Sequence, residues 1–261
     1  MKKIGIIGGG VWGSALAKLL SGNKVLIYTR DKKIVSSIND HRINPRLKYV
    51  IFNNNVSSTS TIKDLHNVDF VFIALSSQNI REVMRKYGNK GINQDIIIAS
   101  KGIEIQTNLL LSDVVKAETN NNNISVLSGP CFSNEVAQDL PTAVTLAVKR
   151  RKTFDKINYL FQNNNFRLYY SDDLIGCQLG GAVKNIYAIA SGITLGMNLG
   201  ENAKSALIAR SFAEIIRLGN NLGANPQTLF GLSGLGDLIL TCNSLKSRNT
   251  SFGHLISSQP K

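Results

Sequence analysis

Apolar residues fall in short runs up to about residue 170 and at helical spacing beyond it, so the two parts of the chain predict different architectures. Lys3 to Ile7, Lys24 to Tyr28, Asp69 to Leu75, Asp95 to Ser100, Ile124 to Ser128, Thr142 to Val148 and Phe166 to Tyr170 read as strands. Helical stretches separate them. Trp12 to Leu20, for example, turns Ala15, Leu16, Leu19 and Leu20 inward, and Ser21-Gly22-Asn23 supplies the turn into the next strand. Such alternation predicts the α/β class, a mostly parallel, doubly wound sheet wrapped by helices. After Ser171 strand signals stop. Ile208, Phe212, Ile215, Ile216 and Leu222 fall on one helical face while Arg210, Glu214 and Arg217 can face outward, which predicts an all-helical second part. The boundary is expected near residue 170, giving domains over 1–170 and 171–261.

Between the first strand and its helix lies Gly8-Gly9-Gly10-Val11-Trp12-Gly13. Gly8 permits a tight turn, Gly10 lets backbone amides approach a pyrophosphate, and Gly13 lets the helix pack against the strand. The helix N-terminus adds unpaired N–H donors and a positive dipole end. Strand, glycine turn, helix and second strand follow one another without interruption, so residues 1–170 are expected to form a Rossmann-type domain that binds NAD or NADP. The second strand ends Tyr28-Thr29-Arg30-Asp31. An NAD site carries an acidic residue at that strand end, whereas an arginine accommodates the 2′-phosphate of NADP. Arg30 in this place suits NADPH, and Asp31 one residue later leaves NADH open.

Composition narrows the function classes. The chain has 261 residues, 43% of them hydrophobic, enough for a sizeable core. Its net charge of +13 is scattered, and the densest run, Lys149-Arg150-Arg151-Lys152, sits at a strand-to-helix boundary as a solvated face. No aromatic-interleaved basic module for nucleic acid appears, while a general positive field suits phosphate-bearing small molecules. No apolar run approaches the roughly eighteen residues of a transmembrane helix, and Met1-Lys2-Lys3 leads directly into a strand. A cytoplasmic location without membrane segment or signal peptide is therefore expected. Cys131, Cys177 and Cys242 are too far apart for a disulfide framework and are expected as reduced thiols. His41, His66 and His254 share no metal or triad spacing and are expected on the surface or in loops, so no metal is assigned. Asn120 to Asn123 and Asn163 to Asn165 read as polar loops.

Candidate chemistry collects at strand ends facing the ligand crevice and in the helical part. Ser100-Lys101-Gly102 ends one strand, and Ser128-Gly129-Pro130-Cys131-Phe132-Ser133-Asn134-Glu135 ends another. Gly180-Gly181-Ala182-Val183-Lys184-Asn185 places a polar pair in an apolar helix, where a partly desolvated lysine can act as a general base near neutral pH. Asp237 follows the glycine-rich Gly231-Leu232-Ser233-Gly234-Leu235-Gly236, and Ser247-Arg248-Asn249 offers a guanidinium that suits a phosphate. This set points to a dehydrogenase of a phosphorylated alcohol.

In order and separation, Gly8 to Ala17, Ser100-Lys101-Gly102, Ser128-Gly129-Pro130, Gly180 to Asn185, Gly234 to Asp237 and Ser247-Arg248-Asn249 resemble the motifs of bacterial NAD(P)-dependent sn-glycerol-3-phosphate dehydrogenases. The resemblance covers essentially the whole chain. It implies reversible hydride transfer between C2 of glycerol 3-phosphate and a nicotinamide, giving dihydroxyacetone phosphate and serving mainly phospholipid synthesis. It implies Lys184 as the general base, with Lys101, Gly129, Cys131, Asp237, Ser247, Arg248 and Asn249 around the substrate. Gly8, Gly10, Val11, Trp12, Gly13, Arg30, Lys101, Ser133 and Arg248 are the implied cofactor contacts. A homodimer stays open. The sequence departs from the family at Cys131, where a Ser or Thr is usual, and at its end, Pro260-Lys261, where similar proteins continue for several helices. The substrate domain is thus expected to be incomplete, with apolar faces of residues 172 to 242 uncovered. An inactive dinucleotide-binding remnant, and a dehydrogenase of another hydroxy or keto acid, are the alternatives.

Overall fold

The computed structural model describes residues 1–88, 93–161 and 165–258. Strands β1 (Lys3–Ile7), β2 (Lys24–Tyr28), β3 (Val56–Thr59), β4 (Phe70–Ile73), β5 (Asp95–Ile98), β6 (Ile124–Ser128), β7 (Thr142–Ala147) and β8 (Phe166–Ser171) form one sheet. Their order is β3-β2-β1-β4-β5-β6-β7-β8. Neighbours are parallel except β6 and β7, which run antiparallel with Val126 opposite Ala147. A parallel crossover needs enough chain to return along the sheet; β6 and β7 are joined by one short helix, α5 (Ser133–Ala137), which turns back at the same end.

Burial on both faces explains why β4, and β5 after its buried first residue Asp95, read as apolar runs: every residue in them is buried. Ile4, Ile6, Ile27, Phe72 and Ile97 pack on one face with α1 (Val11–Leu19) and α2 (Lys32–His41). On the other face Ile7, Val71, Ile73, Ile96 and Ile98 meet α3 (Ile80–Tyr87) and α4 (Leu111–Thr119). Helix α6 (Arg151–Asn158) follows β7, and the basic run that leads into it is exposed. Three predicted strands stop short, at Ile73, Ile98 and Ala147. Beyond two of these ends a side chain replaces the ladder: the Leu75 N–H donates to Ser100 Oγ (2.9 Å) and that hydroxyl donates to the Leu75 carbonyl (2.7 Å).

The helical part contains α7 (Leu174–Gly196), α8 (Gly200–Asn221), α9 (Pro226–Phe230), α10 (Asp237–Cys242) and α11 (Arg248–Ser257). Its separate core holds Leu179, Val183, Ala188, Ile215, Leu229 and Leu238, with Ile208, Phe212 and Ile216 against it. Leu222 departs from the predicted apolar face: α8 ends at Asn221, the helical period stops with it, and Leu222 is 49% exposed. Other apolar side chains also face outward, among them Ile186 at 66% and Phe230 at 54%. His254 lies within α11 rather than in a loop. Asn120 to Asn123 form the loop between α4 and β6, where buried Asn121 donates to the Gln94 carbonyl (2.9 Å). Asn163 and Asn164 and the chain end at Pro260-Lys261 lie outside the described residues. No helix among the described residues is long and apolar enough to cross a membrane.

Candidate active site

Strand order reverses direction between β1 and β4, and the crevice at their carboxyl ends is where a doubly wound sheet takes its ligand. The glycine turn opens there. A Cβ on Gly13 would collide with the Gly8 carbonyl oxygen, so only glycine lets α1 start this close to β1. Around Gly10 nothing lies within 4 Å of a built Cβ, and no side chain caps α1, so its first N–H groups face open space. Room, unpaired donors and the positive end of a helix fit a pyrophosphate. Val11 and Trp12 begin the helix, and the Trp12 indole N–H donates to the Ala99 carbonyl (2.9 Å), tying the turn to the end of β5. Asn44, fully buried, ties it from the other side by donating to the Gly9 carbonyl (3.1 Å) and Ser14 Oγ (2.6 Å).

At the end of β2 the carboxylate of Asp31 is already engaged. One oxygen accepts from the Lys33 N–H (3.0 Å) and caps α2, and the other pairs with Arg46 at 3.7 Å. Arg30, beside it, is exposed.

Three segments far apart in sequence meet at Asp237, which has no solvent exposure. Lys184, from the middle of α7, places Nζ 2.5 Å from one carboxylate oxygen, and Lys101, from the loop after β5, places Nζ 2.5 Å from the other. Gly180 makes this possible: a Cβ there would strike the Ser233 carbonyl, so glycine lets the turn that delivers Asp237 lie on α7. Lys101 also donates to the Gly129 carbonyl (2.9 Å), and Lys184 to Thr241 Oγ1 (3.0 Å), whose own proton goes to the Asp237 carbonyl (2.6 Å). Two ammonium groups against one carboxylate leave a surplus positive charge in a desolvated cleft.

The two lysines differ electrostatically. Burial, then repulsion from Lys101, push Lys184 down to about 8 despite Asp237. Lys101 moves the other way: burial is the largest single influence and works against its charge, but Asp237 and Cys131 with the hydrogen bonds around Nζ together hold the ammonium above its ordinary value. Cys131 lies near Lys101, Asp237 and Lys184 as a free thiol that burial pushes up, so it stays neutral.

Ser247 caps α11, its Oγ accepting from the Thr250 N–H (3.3 Å), which leaves Arg248 exposed in the first turn. Asn249 Nδ2 donates to Asn185 Oδ1 (2.7 Å) and so joins this end of α11 to the residue after Lys184. Ser133 opens α5, and an ion pair between Lys246 and Glu135 (2.9 Å) brings the loop before α11 to that helix. The structure thus gathers Lys101, Gly129, Cys131, Lys184 and Asp237 in one cluster, while Gly8 to Gly13 and Arg30 belong to the crevice end of the sheet. Thr241 is the site residue that sequence reasoning missed. Its signal was present, since it stands one helical turn after Asp237 and shares its face.

A dinucleotide crevice joined to a helical domain that supplies a desolvated lysine defines a two-domain nicotinamide-dependent dehydrogenase. Family models described as the N-terminus and C-terminus of NAD-dependent glycerol-3-phosphate dehydrogenase match residues 3–154 and 173–261. The chain belongs to that family. A glycerol-3-phosphate dehydrogenase [NAD(P)+] of Novosphingobium aromaticivorans is 44% identical over 255 residues, covering 96% of this chain and 76% of the relative. One from Clostridium botulinum is 43% identical, covering 99% and 79%. The crystal structure of glycerol-3-phosphate dehydrogenase from Coxiella burnetii superposes with a TM-score of 0.91 at 36% identity, covering 98% of this chain and 80% of that one.

Removing the shared anion should be costly. Asp237→Asn is expected to destabilise the fold by about 3 kcal/mol near neutral pH, as measured by urea unfolding, because two buried ammonium groups lose their counter-charge. The loss should shrink at about pH 9, where Lys184 sheds its proton in the folded state. A stability equal to wild type at both pH values would mean that the lysines do not depend on Asp237.

Proposed function

We infer that the chain catalyses the reversible, NAD(P)-dependent oxidation of sn-glycerol 3-phosphate to dihydroxyacetone phosphate, running in the cell mainly as the reduction that supplies phospholipid synthesis. Family membership supports the substrate. The observation that carries the chemistry is the lysine pair on Asp237, with Lys184 poised near neutrality.

Bound NAD(P) supplies a hydride acceptor, or in reverse a donor, for substrate C2. Lys184 in its neutral form accepts the C2 hydroxyl proton during oxidation and returns one during reduction. Lys101, kept charged, donates a hydrogen bond to the same oxygen and steadies the charge that develops on it. Asp237 and Thr241 hold the Lys184 amine in place. Ser247, Arg248 and Asn249 take the phosphate at the start of α11, and Gly129 and Cys131 close the pocket. On the cofactor side Gly8, Gly10, Val11, Trp12 and Gly13 would hold the pyrophosphate, Arg30 would accommodate a 2′-phosphate, and Lys101, Ser133 and Arg248 would complete the cofactor contacts. We place the protein in the cytoplasm, and a second copy of the chain is the partner proposed for it.

The purified chain should oxidise NADPH or NADH only when dihydroxyacetone phosphate is present, and Lys184→Ala should lower that rate by about 10²-fold or more. Oxidation of glycerol 3-phosphate, which needs neutral Lys184, should rise with pH through about 8; reduction, which needs the ammonium, should fall over the same range. Cofactor binding without turnover, or an unchanged rate in Lys184→Ala, would overturn the assignment. Light scattering should give twice the chain mass of 28.5 kDa; a single-chain mass would remove the dimer.

A further inference from the structure

Glu104 stands three residues beyond Lys101, outside the lysine and aspartate cluster, and is 4% exposed. Both of its oxygens are held by one guanidinium on α3: Arg81 Nε donates to Oε1 (2.8 Å) and Nη2 to Oε2 (2.7 Å). Thr107 Oγ1 adds a third bond to Oε2 (2.5 Å), and the pairing holds the carboxyl down at about 2. The backbone on either side is closed as well. The Glu104 N–H donates to the Leu109 carbonyl (3.1 Å), and the Asn108 N–H donates to the Glu104 carbonyl (2.9 Å). Gln78 accepts from the Ile105 N–H (3.0 Å) and donates to the Ile103 carbonyl (2.8 Å). Arg81 is itself fixed by Glu118 on α4 (2.6 Å).

A forked arginine–carboxylate pair fixes direction as well as distance, whereas a desolvated ion pair is a poor source of stability compared with apolar packing. Here the fork bolts to α3 the loop from whose near end Lys101 reaches Asp237. We propose that Glu104, clamped by Arg81, is a positioning residue that sets where the Lys101 ammonium sits beside Asp237 and Lys184. The proposal rests on Lys184 as the general base and Lys101 as its charged neighbour.

The clamp has a consequence that a purely structural role lacks. The groups acting on Lys184 are Lys101 from the clamped loop, Cys131 from the turn after β6, and Asp237 and Cys242 from α10. Repulsion from Lys101 is the second cause, after burial, that lowers Lys184. A loosened clamp lets Lys101 drift, so the Lys184 proton is held more tightly and the base form appears only at higher pH.

The experiment is the pH profile of glycerol 3-phosphate oxidation with NADP or NAD by the full chain. It compares wild type, Glu104→Ala, Glu104→Gln, Lys101→Met and the Lys101→Met/Glu104→Gln double variant. Glu104→Ala should lower kcat/KM about tenfold or more and move the rising limb to higher pH. Glu104→Gln, which keeps one acceptor oxygen for Arg81, should do less of both, and should add nothing once Lys101 is Met. If Glu104→Ala does not fold, Arg81→Lys, which keeps the charge but cannot fork, should reproduce the shift. Folded variants with a lower Tm but an unmoved limb, or a Glu104→Gln effect that persists in full beside Lys101→Met, would overturn the clamp alone. A wild type without turnover would overturn the functional assignment and the clamp with it.

Discussion

Asp237 is sealed from solvent and shares its carboxylate between two ammonium groups that come from different domains of the chain. An isolated charge in such a place would be prohibitively costly, and even a paired one contributes little to stability. The surrounding structure is arranged to keep all three groups together. Glycine at position 180 lets the turn carrying Asp237 lie directly on α7, the Gly129 carbonyl takes one proton of Lys101, and Thr241 takes one of Lys184. The contact between sheet and helical domain thus joins a hydrogen-bonded polar centre to apolar packing by Leu174 and Cys177, and leaves the buried Ser128 hydroxyl beside Gly181 without a partner among the described residues.

The proposed function draws on an asymmetry within the junction. Lys101 sits nearer solvent on a loop bolted to α3 and stays charged; Lys184 lies deeper in a long helix, and its neighbour's charge helps drive its proton off. In the proposed reaction one lysine exchanges a proton near neutral pH while the other supplies fixed positive charge, a division of labour suited to oxidation of an alcohol beside a phosphate. The glycine turn contributes the complementary half. Its open amide face at Gly10 and the engaged carboxylate of Asp31 shape a site for phosphates on the cofactor side.

What could be read from the chain divides along the same physical line. The strands and the glycine turn were legible because a βαβ unit is local: run length, turn residues and helix start lie within one stretch. Strand direction is not local, and nothing in Thr142 to Val148 says that β7, together with β8, runs opposite to β1 to β6. β3 escaped notice because Val56-Ser57-Ser58-Thr59 is a short, polar edge strand with only alternate residues buried. Lys184 and Asp237 stood out singly, as a charge in an apolar helix and a carboxylate after glycines. Their meeting did not, since 53 residues separate them and 136 separate Lys101 from Asp237. Glu104 gave no signal at all, because an acidic residue in a polar loop looks solvated until its arginine is found across 23 residues.

Lys184 and Lys101, though they share one carboxylate, should titrate apart. Nuclear magnetic resonance of the two lysine side chains, isotopically labelled and assigned with Lys101→Met and Lys184→Ala, tests it most directly. Lys184 should lose its proton at about 8, while Lys101 should remain charged past the ordinary lysine value of 10.5. Two titrations that coincide near 10.5, or a lower value for Lys101 than for Lys184, would mean that Lys184 is not the lysine set apart to exchange a proton.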